Sequence, residues 1–199
     1  MTTISNPSID PVPAIGVQQL LAMPHAELLA LWKTLPAPDL SELDGEYAGY
    51  IPVLHLSPEQ IQGTKSELYK ETSARGSWVG KAFKAGDGAT SEGHNVFRRL
   101  ADDGAGQIYL RKGRYATDIG ESYVDGRPSL MMRYGAFNTP LGQVDLVDEV
   151  RRYATGLYVA TATSRTETGG ARTVPDGCFL LAGPFNPWIG VDDPQAELL

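Results

Sequence analysis

The sequence predicts a mainly β protein: an antiparallel barrel of about eight strands, with short N-terminal helices and a helix after the first strand. Segments rich in β-branched and aromatic residues follow one another at short spacing. The segments between them contain Gly or Pro beside Asp or Asn, as tight turns do. This spacing fits a closed or nearly closed barrel or a sandwich, whereas a parallel α/β sheet needs a helix between strands. With 199 residues, of which 42% are hydrophobic, the chain can form one domain with a substantial core.

The N-terminal part of this domain is expected to be helical. The Pro-rich segment 1–13 is predicted to form a flexible arm, and residues 14–199 to form the domain. In 14–23 and 25–35, apolar residues recur three and four positions apart and a proline follows each segment, which is typical of two short helices. Residues 14–42 should therefore form a helical cap that packs on the outside of the barrel or plugs one of its ends.

The barrel is predicted to extend over residues 45–184, with a tail at 185–199. Its first strand is 46–54, where Pro52 marks an edge or a strand end. A helix follows at 57–71, because this segment opens with an N-cap serine, a proline at the first helical position and a capping-box glutamine. Seven further strands are predicted at 77–83, 92–100, 106–118, 128–134, 143–153, 156–164 and 178–184.

Charge and cysteine content exclude several classes of function. The formal net charge of −7 and the pI near 4.9 describe a surface that repels phosphate backbones and anionic lipid, so we expect neither a nucleic-acid nor a membrane partner. One cysteine, Cys178, cannot form an intrachain disulfide. No apolar run approaches the roughly 18 residues of a membrane helix, and residues 1–20 lack the layout of a signal peptide. We therefore expect a cytoplasmic location.

The common signatures of cofactor and metal chemistry are absent from the sequence. GSWVGK (76–81) differs from a phosphate-binding loop, because Arg75 stands in place of its first glycine and Ala82 in place of its Ser or Thr. The three histidines lie in different segments without metal-ligand spacing, so we predict no metal site. No Gly-x-Ser-x-Gly elbow occurs, and Cys178 in an apolar strand is expected to be inert. We predict that the protein uses no cofactor.

An eight-strand antiparallel barrel with a helix after its first strand resembles the calycins, which include the lipocalins and the fatty-acid-binding proteins. Gly76-Ser77-Trp78 matches the short Gly-x-Trp signature that lipocalins carry at their first barrel strand. This tripeptide comes late in the chain, after a segment at 44–47 that could open the barrel instead. CFLLAGP (178–184) has no counterpart of the arginine that lipocalins place over the tryptophan. The resemblance implies a lumen for a hydrophobic ligand, with Trp78 in its wall or floor.

Charged residues interrupt the predicted strand 143–153. Strand alternation places Leu146, Asp148, Val150 and Arg152 on one face, and Asp145, Val147, Glu149, Arg151 and Tyr153 on the other. We predict that Glu149 and Arg151 face the lumen with Tyr153, because the aliphatic residues of the other face would then pack outside, under the N-terminal helices. A desolvated carboxyl group beside an arginine can act as a general acid or base, which makes Glu149 and Arg151 the predicted catalytic residues.

Alternatives remain for this strand. A structural ion pair or a charged outer face explains the same residues. Asp148 and Arg152 are the candidates if Glu149 and Arg151 point outward. Other polar interruptions of apolar strands include Lys81, which follows Val79 on its face. Those predicted to bind a ligand are Trp78, Tyr109, Arg111, Tyr115, Tyr153 and Tyr158, because their polar tips sit on apolar bodies or strands.

These observations favour a protein that binds a small hydrophobic metabolite in the lumen of a β-barrel. The alternative is a cofactor-independent cyclase, isomerase or lyase acting on a polyketide- or terpenoid-like substrate in the same lumen. A protein-interaction module is a third possibility, since the fold alone does not choose among the three.

Overall fold

The computed structural model describes residues 14–68, 74–104, 106–165, 170–173, 175, 177–195 and 197. Eight antiparallel strands form a closed barrel in chain order, and the last strand pairs with the first. The strands are β1 Gly45–Tyr50, β2 Ser77–Phe83, β3 Thr90–Leu100, β4 Gln107–Glu121, β5 Pro128–Arg133, β6 Val147–Ala154, β7 Leu157–Thr163 and β8 Cys178–Asn186. The predicted fold class, a mainly β antiparallel barrel with a few short helices, is confirmed.

Within the described residues, four α-helices accompany the barrel: α1 Ala14–Leu21, α2 His25–Thr34, α3 Pro58–Leu68 and α4 Pro140–Gln143, with a 3₁₀ turn at Tyr134–Ala136. The predicted capping box at the start of α3 forms: the Gln60 amide donates to the Ser57 hydroxyl, and the Ser57 amide donates to the Gln60 side chain. No helix in the described ranges is long and apolar enough to cross a membrane. The arm predicted at 1–13 lies outside the described residues.

Several strand boundaries differ from prediction by a few residues, and two of these differences have a clear local reason. β1 ends at Tyr50, ahead of Pro52, because proline cannot donate a hydrogen bond to the sheet. β6 begins at Val147 rather than at 143, because Thr139 caps α4 by accepting a hydrogen bond from the Gly142 amide. Residues 140–143 are therefore helical instead of extended.

Strand alternation separates two buried apolar clusters, one on each side of the barrel wall. The lumen cluster comprises Leu40, Leu43, Tyr47, Phe83, Tyr115, Leu130, Met132, Tyr134, Val150, Tyr158, Ala160 and Leu181. The outer cluster comprises Leu20, Leu28, Trp32, Leu157, Val159, Cys178, Leu180 and Ala182. Helices α1 and α2 thus pack on the outside of the barrel, against β7 and β8, which was one of the two predicted arrangements.

The two ends of the lumen are built differently. The segment that follows α2 places Leu40 and Leu43 in the lumen cluster, and we call this closed end the base. At the opposite end, which we call the far end, the inward side chains of β2, β3 and β8 are Trp78, Phe97 and Phe179. Each part of the predicted cap therefore has its own place: the helices lie outside, and the segment after them plugs the base.

Candidate functional site

A buried lysine points into the lumen from the middle of β2. Lys81 lies between Tyr47 of β1 and Asn95 of β3 in the sheet register, and its side chain is only 4% exposed. Its ammonium group donates to Asp148 Oδ2 at 2.8 Å, to Asn95 Oδ1 at 2.9 Å and to the Tyr134 hydroxyl at 2.5 Å. Each of the three ammonium protons therefore has an acceptor, as a buried charge requires.

The acceptors of the lysine are held by further hydrogen bonds. The Tyr134 hydroxyl donates to Asp148 Oδ2 at 3.2 Å and accepts from the Asn95 amide group at 3.0 Å. Trp78 Nε1 donates to Asn95 Oδ1 at 3.1 Å. Because each group is fixed by at least one other, Lys81, Asp148, Tyr134, Asn95 and Trp78 form one network, which we call the lumen network.

The central ion pair of this network crosses the barrel. Lys81 is on β2 and Asp148 is on β6, which are four strands apart in a closed order of eight strands and so lie on opposite walls. The Asp148 side chain is 5% exposed. Opposite charges attract strongly at this distance when water is excluded, but taking both from water is costly. Because its two residues lie on opposite walls, the pair spans the lumen instead of lying along one wall.

Aromatic rings surround the ammonium group. The Lys81 Nζ atom lies 5.2 Å from the Tyr134 ring centroid, 5.4 Å from those of Tyr115 and Phe179, and 5.9 Å from that of Trp78. Ring faces at this range attract a cation. Burial lowers the pKa of Lys81, and the Asp148 charge opposes this shift. Burial raises the pKa of the Tyr115 and Tyr134 hydroxyls, so both stay protonated.

The lumen network combines a cation, a carboxylate and a phenol within hydrogen-bond distance of one another. Such a set can hold a carbonyl, an enol or a carboxylate, and it can move a proton between neighbouring oxygens and nitrogens. Among the described residues, no group of three or more His, Cys, Asp or Glu is placed to hold a metal ion.

Glu149 and Arg151 point out of the lumen, so the orientation predicted for β6 is wrong. The Arg151 guanidinium group lies 4.0 Å from the centroid of the Trp32 ring, under helix α2. It donates to both carboxylate oxygens of Asp125, at 2.8 and 2.6 Å, and to the main-chain oxygens of Trp32 and Lys33 at the end of α2. The last carbonyls of a helix lack partners within it, which explains why a cation fits here.

The reason for this error is the composition of the layer under the helices. Leu157, Val159 and Leu180 already supply its aliphatic side chains, while Val150 lies in the lumen. Arg151 covers Trp32 of helix α2. The lipocalin resemblance had instead concerned Trp78 of β2.

Glu149 is buried on the same outer face, beneath the loop before β5. Its Oε1 atom accepts a hydrogen bond from the Tyr123 amide at 2.9 Å, and its Oε2 atom has no hydrogen-bond partner among the described residues. Burial raises the pKa of Glu149. Tyr153, predicted to share the lumen with it, is an exposed residue on the outer face. The structure thus removes Glu149, Arg151 and Tyr153 from the lumen.

The other predicted ligand-binding residues divide between the two faces. Trp78 and Tyr115 belong to the inner face near Lys81, and Tyr158 lies near the base, in edge contact with Tyr47 at 5.8 Å. Tyr109 and Arg111 lie outside. The reason is a β-bulge in β4. His94 pairs with Arg114 and Asn95 pairs with Lys112, so Gly113 is skipped and the inward and outward faces of β4 exchange at this point.

An open groove of about 200 Å³ lies on the outer surface at β1, β3 and the end of β8. Its lining includes Tyr109, Val96, Phe185 and Glu46. Arg111 pairs with Glu46 at 2.6 Å, and Asn186 donates to the other carboxylate oxygen of Glu46 at 2.9 Å. The carboxylate of this groove is therefore already occupied by partners within the chain.

Lys81, Asn95 and Tyr134 are not among the predicted catalytic or ligand-binding residues, although Lys81 interrupts an apolar strand in the sequence. The sequence does carry a signal for the first, because a lysine at an alternating position among Val79 and Phe83 is costly in a buried strand unless it is paired. Asp148 had been named as an alternative to Glu149, and the structure places it in the lumen. Arg152, named with it, pairs with Glu42 at the base instead.

No family model matches the chain, and no curated protein matches it. A solved structure described as "Crystal structure of protein from Thermomonospora curvata" is similar, with a TM-score of 0.51 and 16% sequence identity. The alignment covers 85% of this chain and 97% of that chain. At this identity the similarity shows the fold alone, and the calycin resemblance stays a prediction.

Proposed function

We propose that the barrel binds a small, mainly apolar molecule whose one polar group, a carbonyl or carboxylate, is held by the lumen network. The supporting observation is the buried Lys81–Asp148 pair inside an otherwise aromatic and aliphatic lumen. Replacing a buried ion pair by apolar residues is often neutral or stabilising, so the fold alone does not require these charges. A few convergent polar groups in an apolar concavity are typical of a small-molecule site.

The apolar body of the ligand would lie toward the far end. The base is filled, because Tyr47 makes edge contacts with Phe83 at 5.6 Å and with Tyr158 at 5.8 Å. On the other side of the ion pair, Trp78 and Phe179 meet edge to face at 5.8 Å. Their rings are suited to contact a flat or branched apolar molecule.

A cofactor-independent cyclase, isomerase or lyase in the same lumen is the second candidate. The observation that favours it is the direct contact of Lys81, Asp148 and Tyr134, because these groups can polarise a carbonyl and accept a proton without a cofactor. Glu149 and Arg151 have no part in this proposal, since both face away from the lumen. A cytoplasmic location, and the absence of nucleic-acid and membrane partners, stay predictions.

Native mass spectrometry of the purified protein would test the binding proposal. We expect a small molecule to co-purify with the protein. We also expect the protein to take up the apolar dye N-phenyl-1-naphthylamine stoichiometrically, and the co-purified molecule to displace this dye. Asp148→Asn should weaken binding of the co-purified molecule. Its matched control, Asp118→Asn, changes a carboxylate that pairs with Arg133 on the outer face and should leave binding unchanged. A folded protein that carries no molecule and takes up no dye would contradict the proposal.

Turnover separates the two candidates once a ligand is known. If the protein is an enzyme, Asp148→Asn should lower kcat much more than it raises Kd, because proton transfer occurs only in the transition state. If the protein only binds, the ligand should be recovered unchanged after prolonged incubation.

A further inference from the structure

Lys81 differs from the other described lysines in its surroundings. It is buried, whereas the Lys84 side chain, which follows β2, is 56% exposed. The Lys81 Nζ atom lies within 5.9 Å of the centroids of four aromatic rings, whereas one such contact, with Phe97 at 5.6 Å, is found for Lys112. A lysine amine in such a place can be a nucleophile, because a dry site favours its neutral form.

The neighbours of Lys81 match the needs of an imine. A carboxylate 2.8 Å from Nζ can take the proton that the amine must lose before it attacks a carbonyl. The Tyr134 hydroxyl, in contact with both Nζ and Asp148, can donate a hydrogen bond to the carbonyl oxygen. A protonated imine nitrogen carries one hydrogen instead of three. The four aromatic ring faces around Nζ would still stabilise its positive charge.

We infer that Lys81 forms a Schiff base with the aldehyde or ketone group of an apolar ligand, with Asp148 as the counter-ion. This inference rests on the proposed function and names its ligand class. In the first step a proton moves from the ammonium group to Asp148, and Nζ adds to the carbonyl carbon to give a carbinolamine.

The second step expels the former carbonyl oxygen as water, with the proton held by Asp148. One ammonium and one carbonyl compound thus give one protonated imine and one water. No oxidant or reductant is needed. The positive charge is at Nζ before and after the reaction, and in between both Nζ and Asp148 are neutral, so neither group is left as an unpaired buried charge.

Reductive trapping tests the inference. The full-length protein is incubated with octanal and sodium cyanoborohydride, and the alkylated lysines are located by peptide mass mapping. We expect alkylation of Lys81 to be faster than that of Lys84, since burial lowers the pKa of the Lys81 amine and so raises its neutral fraction. Lys81→Arg should abolish this fast reaction, and the matched Lys84→Arg should leave it unchanged.

Two further measurements keep the result interpretable. Circular dichroism checks that each variant is folded, and Lys81→Met combined with Asp148→Asn replaces Lys81→Arg if the larger side chain prevents folding. Uptake of N-phenyl-1-naphthylamine is measured in parallel. Dye binding with Lys81 alkylated no faster than Lys84 would overturn the inference and leave the proposed function intact. Failure of both dye binding and alkylation would overturn both.

Discussion

Removing the charge of Lys81 should destabilise the barrel strongly. Lys81→Met keeps most of the apolar stem but takes away three hydrogen bonds and the partner of a carboxylate that is 5% exposed. Breaking a buried pair from one side costs about 3–5 kcal/mol, because the remaining charge is desolvated without compensation. Tyr134 still donates to Asp148, which places the expected loss at the lower end, about 3 kcal/mol.

A double-mutant cycle in urea measures this loss. Asp148→Asn removes the second charge, so the variant with both changes should lose less than the sum of the single losses, by about 1–3 kcal/mol. Lys84→Met is the matched control and should change the free energy of unfolding by no more than about 0.5 kcal/mol, because the Lys84 side chain is 56% exposed. If Lys81→Met were as stable as the wild type, or if the two losses simply added, the account of the buried pair would be wrong.

Four other outcomes are expected. Arg151→Met should lose about 3 kcal/mol, because it removes both guanidinium donors to the Asp125 carboxylate and the contact with the Trp32 ring. Arg152→Met should lose at most about 1 kcal/mol, because its pair with Glu42 is partly exposed. Urea unfolding compares the two losses. Burial raises the pKa of Glu149 above 4.5, so the contribution of Glu149 to stability falls as the pH rises. The stability of Glu149→Gln relative to the wild type should therefore increase from about pH 4 to 7, and a constant difference would contradict this. Trp78→Ala should lose roughly 3–5 kcal/mol, and wild-type stability would show that the indole does not hold the lumen together. Burial raises the pKa of Cys178 to about 12, so iodoacetamide at neutral pH should label the thiol only after unfolding.

The barrel could be predicted because its signals are local. Turn residues mark the ends of strands, and the capping box at Ser57 starts a helix where it was expected. The position of α1 and α2 outside the barrel follows from their apolar faces and from the aliphatic residues of β7 and β8. Each of these features depends either on residues that are close in sequence or on the alternation of apolar residues within a single strand.

The orientation of β6 could not be predicted in the same way. Alternation shows that Asp148 and Glu149 lie on opposite faces, but each face offers an acid, an arginine and aliphatic residues. The choice depends on distant partners: Trp32 and Asp125 fix Arg151 outside, and Lys81 fixes Asp148 inside. A pattern within one strand carries no information about which of these partners comes close.

The same pairing decides where a ligand can lie. Since the Lys81–Asp148 pair joins opposite walls, it divides the lumen into a base and a far part. Tyr47, Phe83 and Tyr158 already fill the base with edge contacts. A molecule on the far side would meet the ion pair as its floor and the aromatic side chains of β2 and β8 as its walls. Reaching the base would require breaking a pair whose loss costs several kcal/mol, so under the proposed function the pair would both anchor a ligand and limit how deep it can go.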